Sequence, residues 1–408
     1  MKNVAVIGAG AAGLMAAYAA AKNGHNVTVF EKNEKSGKKI YITGKGRCNL
    51  THDCDEQEFL QNVVSNPKFM TGAIYKLSPK KTVQFFEDGG LRLKTERGAR
   101  IFPVSDKASD VTKCLENSCK NVGVNFKFNE KVLKIDTLQS TLSGITTDKG
   151  TYNFDCAIVC TGGMSYPSTG STGDGYKFAE DAGHKIISLK QGLCGLNLKG
   201  SFYKALQGLS LKNVSLNVYY DDKIIKNFFG EMLFTHFGVS GPIVLSASSL
   251  INRLDLSMIR LVIDLKPALS DEQLDKRLLR DFEVYKNKSI ANCLKELLPV
   301  ALIPEILKRS LIDGEKKVNS ITRPERTALL TNIKNFDMLV LSLRGFEEAI
   351  ITCGGVDVKE IDPKTMESKL VKGLYFCGEV LDLDAFTGGF NLQIAFSTGY
   401  VAGNSIKD

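Results

Sequence analysis

The hydrophobic and polar positions at the start of the chain form a regular succession of elements. Val4–Ile7 is an apolar run rich in β-branched residues, which predicts a buried parallel strand. Leu14–Asn23 contains small residues without a breaker and predicts a helix, and Asn26–Phe30 predicts a second strand. Strand, helix and strand in this order are typical of a parallel sheet that is covered by helices.

The pattern changes twice further along the chain. Residues 55–123 read as mostly helical, and 124–160 predict a β-meander that returns to the main sheet. From about residue 191, short strand patterns separated by turns predict a small β-barrel or antiparallel sheet. After Pro267 the pattern becomes helical and charged, with Ser270 and Gln273 spaced as a capping box. The expected barrel strands are Leu193–Lys199, Val214–Tyr220, Ile224–Phe229, Met232–His236 and Leu261–Leu265.

A GxGxxG turn separates the first strand from the first helix. Gly8 permits a tight turn, Gly10 lets backbone approach a pyrophosphate, and Gly13 lets helix and strand pack closely. Glu31 follows Gly13 by 18 residues, which is the spacing of a carboxylate that hydrogen-bonds a ribose with a free 2′-hydroxyl. The order of these features favours a dinucleotide site, and a glycine-rich turn without a ligand is the alternative.

Three later segments are expected to contact the same cofactor. Residues 36–49 are glycine-rich and basic, with a flexible surface loop as the alternative interpretation. One buried strand ends at Thr161–Gly163, and another ends at Gly378 before a glycine pair opens the last helix. Because one extended cofactor requires several distant glycine-ended contacts, the sequence favours FAD over NAD.

These patterns predict an α/β fold in which a Rossmann-like FAD-binding domain is interrupted by an inserted β-barrel and a helical region. The expected segments are 1–190 for the first part of the FAD-binding domain, 191–267 for the barrel, 268–345 for the helical region and 346–408 for the second part.

Composition limits the classes of partner. The 408 residues carry a formal net charge of +8 with lysines scattered along the chain, so we expect no nucleic-acid partner and a small-molecule substrate. The ten cysteines show no CxxC or metal-ligand spacing, so we expect reduced thiols, no metal site and a cytoplasmic location. No stretch is apolar over a membrane-spanning length, so no membrane partner is expected. The sequence does not determine the oligomeric state.

The sequence resembles the bacterial FAD-binding NAD(P)/FAD-dependent oxidoreductases that include aminoacetone oxidase-type and BaiN-like 3-dehydro-bile acid reductase flavoproteins. The matching segments are VAVIGAGAAGLMAA, TGKGRCNLTH, TGGMSYPSTGSTGDGY, GEMLFTHFGVSGP, ITCGGVDVKEIDPKTMESK and GLYFCGEVLDLDAFTGGFNLQIAFSTGYVAG. The FAD contacts that this resemblance implies are Gly8, Gly10, Ala12, Gly13, Glu31, Lys32, Lys39, Gly44, Arg47, Cys48, Asn49, Val132, Thr161, Gly162, Gly163, Gly378, Glu379, Gly389, Asn391 and Leu392.

The resemblance implies hydride transfer through flavin N5, with an unsaturated ketone or steroid-like substrate and NADH or NADPH as a transient reductant. Arg47 is a candidate for contacting the pyrophosphate or an anionic substrate, and His236 is a candidate proton donor or a hydrogen-bonded structural histidine. Alternative functions are an amine oxidase that uses oxygen and a flavin-dependent RNA-binding or RNA-modification accessory protein. A disulfide reductase that uses Cys48 and Cys54 is a further alternative.

Overall fold

The computed structural model describes residues 1–407. The chain divides into two compact units, each with its own hydrophobic core: Met1–Gly192 with Gly345–Asp408, and Leu193–Arg344. The described residues form nineteen strands and thirteen α-helices. The strands are β1 Asn3–Ile7, β2 Asn26–Glu31, β3 Thr51–His52, β4 Leu93–Glu96, β5 Arg100–Pro103, β6 Asn125–Phe128, β7 Val132–Leu138, β8 Thr141–Thr147, β9 Thr151–Asn153, β10 Cys156–Val159, β11 Ile186–Gly192, β12 Leu196–Leu198, β13 Ser210–Tyr220, β14 Lys223–Phe234, β15 Gly238–Ser240, β16 Ile259–Asp264, β17 Phe336–Leu343, β18 Ile351–Val356 and β19 Leu374–Phe376.

The helices alternate with these strands. They are α1 Ala11–Lys22, α2 Lys38–Ile42, α3 Glu56–Gln61, α4 Pro67–Lys76, α5 Pro79–Asp88, α6 Ala108–Asn121, α7 Asp174–Asp181, α8 Pro242–Ile251, α9 Asp271–Val284, α10 Ile290–Cys293, α11 Ile303–Arg309, α12 Arg323–Lys334 and α13 Phe390–Ser405. No helix among the described residues combines the length and the apolar character that crossing a bilayer requires.

The first unit is built on a five-stranded parallel sheet in the order β19-β10-β1-β2-β6. The central strand β1 is buried from Val4 to Ile7, because it has a neighbouring strand on each side and helices cover the sheet. β10 and β19 come from distant parts of the sequence, so the second part of the chain completes the sheet that the first part begins. Their carboxyl ends meet at one edge of the sheet.

The second unit contains a closed barrel in the order β12-β15-β14-β13-β16-β17. The barrel interior shares its core with buried side chains of α9 and α12, including Leu274, Leu278, Leu329 and Ile333. The expected fold class, a Rossmann-like domain interrupted by a β-barrel and helices, is confirmed.

Two expectations about strands are wrong. Residues 124–160 do not form one meander, because β6 joins the parallel sheet beside β2, whereas β7, β8 and β9 form a separate antiparallel sheet. Asp155 also divides the expected last strand into β9 and β10, and its carboxylate accepts a hydrogen bond from the N–H of Asn3 at 2.7 Å. In the barrel, the two strands expected over 224–236 are a single strand, β14, because the ladder with β13 continues across Gly230 through register shifts.

Candidate cofactor site

The first glycine turn lies where β1 ends and α1 begins. A Cβ atom at Gly13 would lie 1.9 Å from the carbonyl oxygen of Gly8, and one at Gly8 would lie 2.6 Å from the carbonyl oxygen of Cys160. A Cβ atom at Gly10 would meet no atom within 4 Å. The turn is therefore closely packed on the protein side and open at Gly10, as backbone that approaches a pyrophosphate requires.

Two helices begin at this edge of the sheet without a side-chain cap. The N-cap residues are Gly10 for α1 and Gly389 for α13, and neither helix has an acidic residue in its first turn. Their first N–H groups, with the positive end of the helix dipole, are suited to bind an anion. The two helices also pack closely, since a Cβ atom at Gly399 of α13 would lie 2.3 Å from the carbonyl oxygen of Ala12 in α1.

Glu31 ends β2 beside the glycine turn. Its Oε2 atom accepts the N–H of Ala9 at 2.9 Å, and its Oε1 atom accepts both the backbone and the side-chain N–H of Asn33. Oε2 keeps one lone pair for a further donor such as a ribose hydroxyl. Val132 begins β7 nearby, because Glu130 donates its N–H to the carbonyl oxygen of Glu31 at 3.1 Å.

Lys39 and Glu379 are 340 residues apart in sequence and form an ion pair in the structure. Lys39 Nζ lies 2.7 Å from Glu379 Oε2 and 2.9 Å from Oε1, and both side chains are about one-fifth exposed. Oε1 also accepts the backbone N–H of Thr352 at 2.8 Å. Thr352 is not among the predicted contacts, although it lies in the matching ITCGG segment two residues before a glycine pair.

The glycine-rich segment 36–49 is not a plain loop, since it contains the short helix α2. Lys45 and Cys48 have positive φ values of 59° and 61°, which non-glycine residues adopt infrequently. Such a conformation persists only when surrounding structure maintains it, and it is often found at functional sites. The segment leads to Thr51, whose carbonyl oxygen would lie 2.6 Å from a Cβ atom at Gly389.

The two cysteines of the disulfide-reductase alternative are poorly suited to redox chemistry. Burial raises the pKa of the Cys48 thiol to about 12. Burial, followed by the neighbouring acidic residues, raises the pKa of Cys54 to about 12 as well. Because the thiolate is the reactive form of cysteine, both thiols are inert near neutral pH. These pKa values argue against a Cys48–Cys54 redox pair.

Arg47 is engaged by two carboxylates, those of Glu96 and Asp106, and its guanidinium stacks over the ring of Phe102 at 4.2 Å. Lys94 also contacts Asp106, at 2.7 Å. Arg47 lowers the pKa of Glu96, and Lys94 followed by Arg47 lowers the pKa of Asp106, so both carboxylates stay ionised around neutral pH. Arg47 therefore joins the end of segment 36–49 to β4 and to the chain after β5.

Three other predicted residues have defined surroundings. Lys32 Nζ lies 2.5 Å from a carboxylate oxygen of Asp174 at the start of α7. Asn391 accepts the N–H of Ala385 at 3.0 Å and donates to its carbonyl oxygen at 2.8 Å, which orders the chain before α13. His236 belongs to the second unit, where its ring is exposed and lies edge-on to Phe237 at 5.1 Å.

Most of the predicted contacts are brought together at the carboxyl edge of the parallel sheet. The residues that the contacts join to this edge are Gly8, Gly10, Ala12, Gly13, Glu31, Lys39, Thr161, Gly162, Gly163, Gly378 and Glu379. All predicted cofactor contacts lie in the first unit. Only His236 among the predicted site residues lies in the second unit.

The donor and acceptor groups of this edge fit FAD. Asn49 Oδ1 and Thr161 Oγ1 are buried polar atoms that have no hydrogen-bond partner among residues 1–407. Buried polar atoms without a partner are uncommon in native structures and call for an explanation such as a missing ligand. Two unpartnered polar atoms, two uncapped helix N-termini and the open position at Gly10 form a set that suits a flavin dinucleotide.

The whole chain is similar to known proteins. The family model described as HI0933-like protein Rossmann domain matches residues 2–405 of this chain. The chain is 29% identical over 414 residues to a 3-dehydro-bile acid delta(4,6)-reductase of Clostridium scindens, covering 100% of both chains. It is 30% identical over 408 residues to a ribosomal RNA dihydrouridine synthase of Haemophilus influenzae, covering 98% of both chains.

A solved structure shares the fold. The 3-ketosteroid-delta4-(5alpha)-dehydrogenase of Rhodococcus jostii matches with a TM-score of 0.54 and 14% identity, covering 99% of this chain and 96% of that one.

Proposed function

This chain belongs to the HI0933-like Rossmann-domain family of FAD-dependent oxidoreductases, and we propose that it reduces a carbon–carbon double bond conjugated to a carbonyl group. The observation that supports the location of the chemistry is the set of glycine-ended strands and uncapped helices at one edge of the first unit. The bond change is inferred from the relatives.

The names of these two relatives describe the same type of bond change, the reduction of a carbon–carbon double bond. One states reduction of a delta(4,6) unsaturation in a 3-dehydro-bile acid, and the other states formation of dihydrouridine in ribosomal RNA. In a 3-ketone with this unsaturation and in uracil alike, the double bond is conjugated to a carbonyl group, so its β-carbon accepts hydride. We therefore infer which type of bond is reduced, and a steroid-like ketone and a uridine are the two candidate substrates.

In this proposal the protein supplies binding and electrostatics. FAD, when bound, supplies a hydride at N5, and NADH or NADPH is the proposed source of that hydride. The N–H groups at the start of α1 and Lys39 hold anionic parts of the cofactor, and Glu31 holds the ribose. The N-terminus of α13 presents partial positive charge to the same edge and favours anionic character there. A proton from the solvent, added to the α-carbon, completes the reduction.

A first experiment tests the cofactor and the reaction together. The purified full-length chain is loaded with FAD and reduced anaerobically with NADH or NADPH, and a 3-oxo-4,6-diene steroid is then added. We expect the visible absorption of oxidised flavin to return as the near-ultraviolet dienone absorption falls, in equal molar amounts. Free FAD under the same conditions is the control. A protein that retains no FAD contradicts the proposal, whereas flavin that an amine reduces and oxygen reoxidises supports the amine oxidase instead.

The second candidate substrate is a uridine in RNA. The second unit has 22 Lys and Arg against 16 Asp and Glu, whereas the first unit has 31 against 29. Most of the excess positive charge is therefore carried by the barrel and its helices, which favours a polyanionic partner for that unit. This uneven division was not apparent from the scattered lysines along the sequence.

The same reduced enzyme distinguishes the two substrates. A uridine-containing ribosomal RNA fragment replaces the steroid, and dihydrouridine is measured by mass spectrometry of the digested RNA. If only the steroid is reduced, the substrate is a small molecule. If dihydrouridine forms and the steroid is not reduced, the substrate is RNA. If neither substrate reoxidises the reduced flavin, the proposed bond class is wrong.

A further inference from the structure

Thr352 lies in β18 and is completely buried. Its Oγ1 atom accepts the backbone N–H of Met164 at 2.8 Å and that of Ser165 at 3.1 Å, and it lies 2.7 Å from Ser165 Oγ. A hydroxyl group has two acceptor positions and one donor. The Thr352 hydroxyl therefore makes three hydrogen bonds, two with backbone amides and one with the Ser165 hydroxyl.

This hydroxyl lies directly against the double-glycine turn. A Cβ atom at Gly163 would lie 2.4 Å from Thr352 Oγ1 and 3.0 Å from Glu379 Oε1. The backbone at Gly163 therefore lies so close to the threonine and the glutamate that a side chain at this position would overlap Thr352. Thr352 also donates its backbone N–H to Glu379 Oε1, and Glu379 is paired with Lys39. One buried residue therefore contacts both late glycine-ended segments.

The two residues at the end of the ITCGG segment determine where Thr352 lies. Gly354 and Gly355 have positive φ values of 90° and 129°. A Cβ atom on Gly354 would lie 2.4 Å from the carbonyl oxygen of Ser188 in β11, and one on Gly355 would lie 2.5 Å from that of Val380. β18 therefore fits between β11 and the chain after Gly378 only with glycine at both positions, and this holds Thr352 in place.

We propose that Thr352 is a positioning residue of the flavin site, which holds the Thr161–Gly163 turn through its hydroxyl and Glu379 through its backbone N–H. This inference rests on the proposed function, because it treats the two segments as contacts of FAD. Removing the hydroxyl leaves two buried N–H groups without an acceptor, so the turn has to move or admit water. FAD affinity then falls although Thr352 itself does not touch the cofactor.

The test compares three variants of the full chain with the wild type. Thr352→Val keeps the shape of the side chain but removes the hydroxyl, and Thr352→Ser keeps the hydroxyl. Ser368→Ala is the matched control, because Ser368 Oγ also accepts two backbone N–H groups, of Leu370 and Val371, and lies in a buried site without a predicted FAD contact. FAD dissociation constants and visible flavin spectra are measured alongside thermal unfolding.

We expect Thr352→Val to raise the FAD dissociation constant at least tenfold and to change the flavin spectrum, and Thr352→Ser to restore both. Ser368→Ala lowers the unfolding temperature but leaves the FAD dissociation constant within twofold. Equal FAD affinity and spectrum in Thr352→Val and the wild type overturn the inference, as does an equal loss of affinity in Ser368→Ala.

The outcome separates this inference from the function on which it rests. A wild-type protein that binds no FAD contradicts the proposed function, whereas a wild type that binds FAD as tightly as Thr352→Val contradicts the role of Thr352 alone. If Thr352→Val does not fold, Ser165→Ala removes the partner of the hydroxyl in a milder way, with an expected threefold or larger rise in the dissociation constant. No change in that variant overturns the inference.

Discussion

At the scale of single residues, Gly10 and Gly13 differ in whether the fold itself requires glycine. The φ of −84° and ψ of −170° at Gly10 are accessible to alanine, and a Cβ atom there would meet no protein atom within 4 Å. Gly13 differs, because a Cβ atom at that position would overlap the carbonyl oxygen of Gly8. The fold requires glycine at 13, whereas no contact with another protein atom requires glycine at 10.

This difference predicts the effect of Gly10→Ala. The apoprotein should be about as stable as the wild type, because the lower entropy of the unfolded chain with alanine offsets the loss of a favourable glycine N-cap. The FAD dissociation constant should rise at least tenfold, about 1.4 kcal/mol, because the added methyl group occupies the space that the pyrophosphate needs. Urea unfolding of the apoprotein and fluorescence titration with FAD measure the two quantities.

Gly314→Ala is the control for this prediction, because a Cβ atom there makes only ordinary contacts at 3.5 Å and beyond in the second unit. It should leave FAD affinity unchanged. Unchanged FAD affinity in Gly10→Ala would place the cofactor elsewhere.

At the scale of elements, local capping signals determine where several helices begin. The capping box expected from Ser270 and Gln273 is confirmed at the start of α9. A second capping box, of Thr322 and Glu325, begins α12, and Lys316 Nζ lies 2.6 Å from a carboxylate oxygen of Glu325. The hydrogen bond from Lys316, followed by that from the Thr322 N–H, lowers the pKa of Glu325 from about 4.5 to about 2.

The lowered pKa predicts how the stability of the second unit depends on pH. A carboxylate whose pKa is lower in the folded state stabilises the protein above its unfolded pKa, and this contribution is lost as the pH falls toward the folded value. Glu325→Gln should therefore lower the urea midpoint at pH 6 and have a smaller effect at pH 3. Glu283→Gln, at a side chain that is 82% exposed, is the control and should change neither midpoint. An equal effect of Glu325→Gln at both pH values would contradict the prediction.

At the scale of the whole molecule, the predicted FAD contacts and most of the excess positive charge lie in different units. The predicted FAD contacts come from both chain segments of the first unit, whereas the second unit is one continuous insertion. The termini of the insertion adjoin β11 and β18, which form one antiparallel pair within the first unit. The chain therefore leaves the first unit after β11 and returns to it before β18, and these two strands pair with each other.

This organisation predicts which parts of the chain FAD stabilises. A ligand stabilises the structure that binds it, by about 2.7 kcal/mol at a hundredfold excess over its dissociation constant. Hydrogen–deuterium exchange of apoprotein and FAD-loaded protein should show slower exchange in residues 8–13, 161–163 and 378–392. Exchange in β14 and α9 should be unchanged, and these segments serve as the internal control. Protection confined to the second unit would contradict the proposed site.

The sequence by itself determined the features that depend on near neighbours in the chain. The β1–α1–β2 unit, the GxGxxG turn and the capping box of α9 were all predicted, because apolar periodicity, glycine geometry and side-chain caps act over a few residues. Glycine-ended strands indicated the distant segments of the site, the resemblance implied the individual FAD contacts, and the fold class followed from the order of the elements. The individual contacts to FAD remain predictions.

Only the tertiary structure decided which distant segments meet. The ion pair between Lys39 and Glu379 and the hydrogen bonds of Thr352 join residues that are far apart in sequence, and no local pattern encodes such contacts. The same holds for β6, whose place beside β2 depends on the topology of the sheet and not on the meander-like spacing of its residues. Interactions between residues close in sequence therefore determine the helices and strands. Their packing around the parallel sheet determines which residues meet at the predicted site.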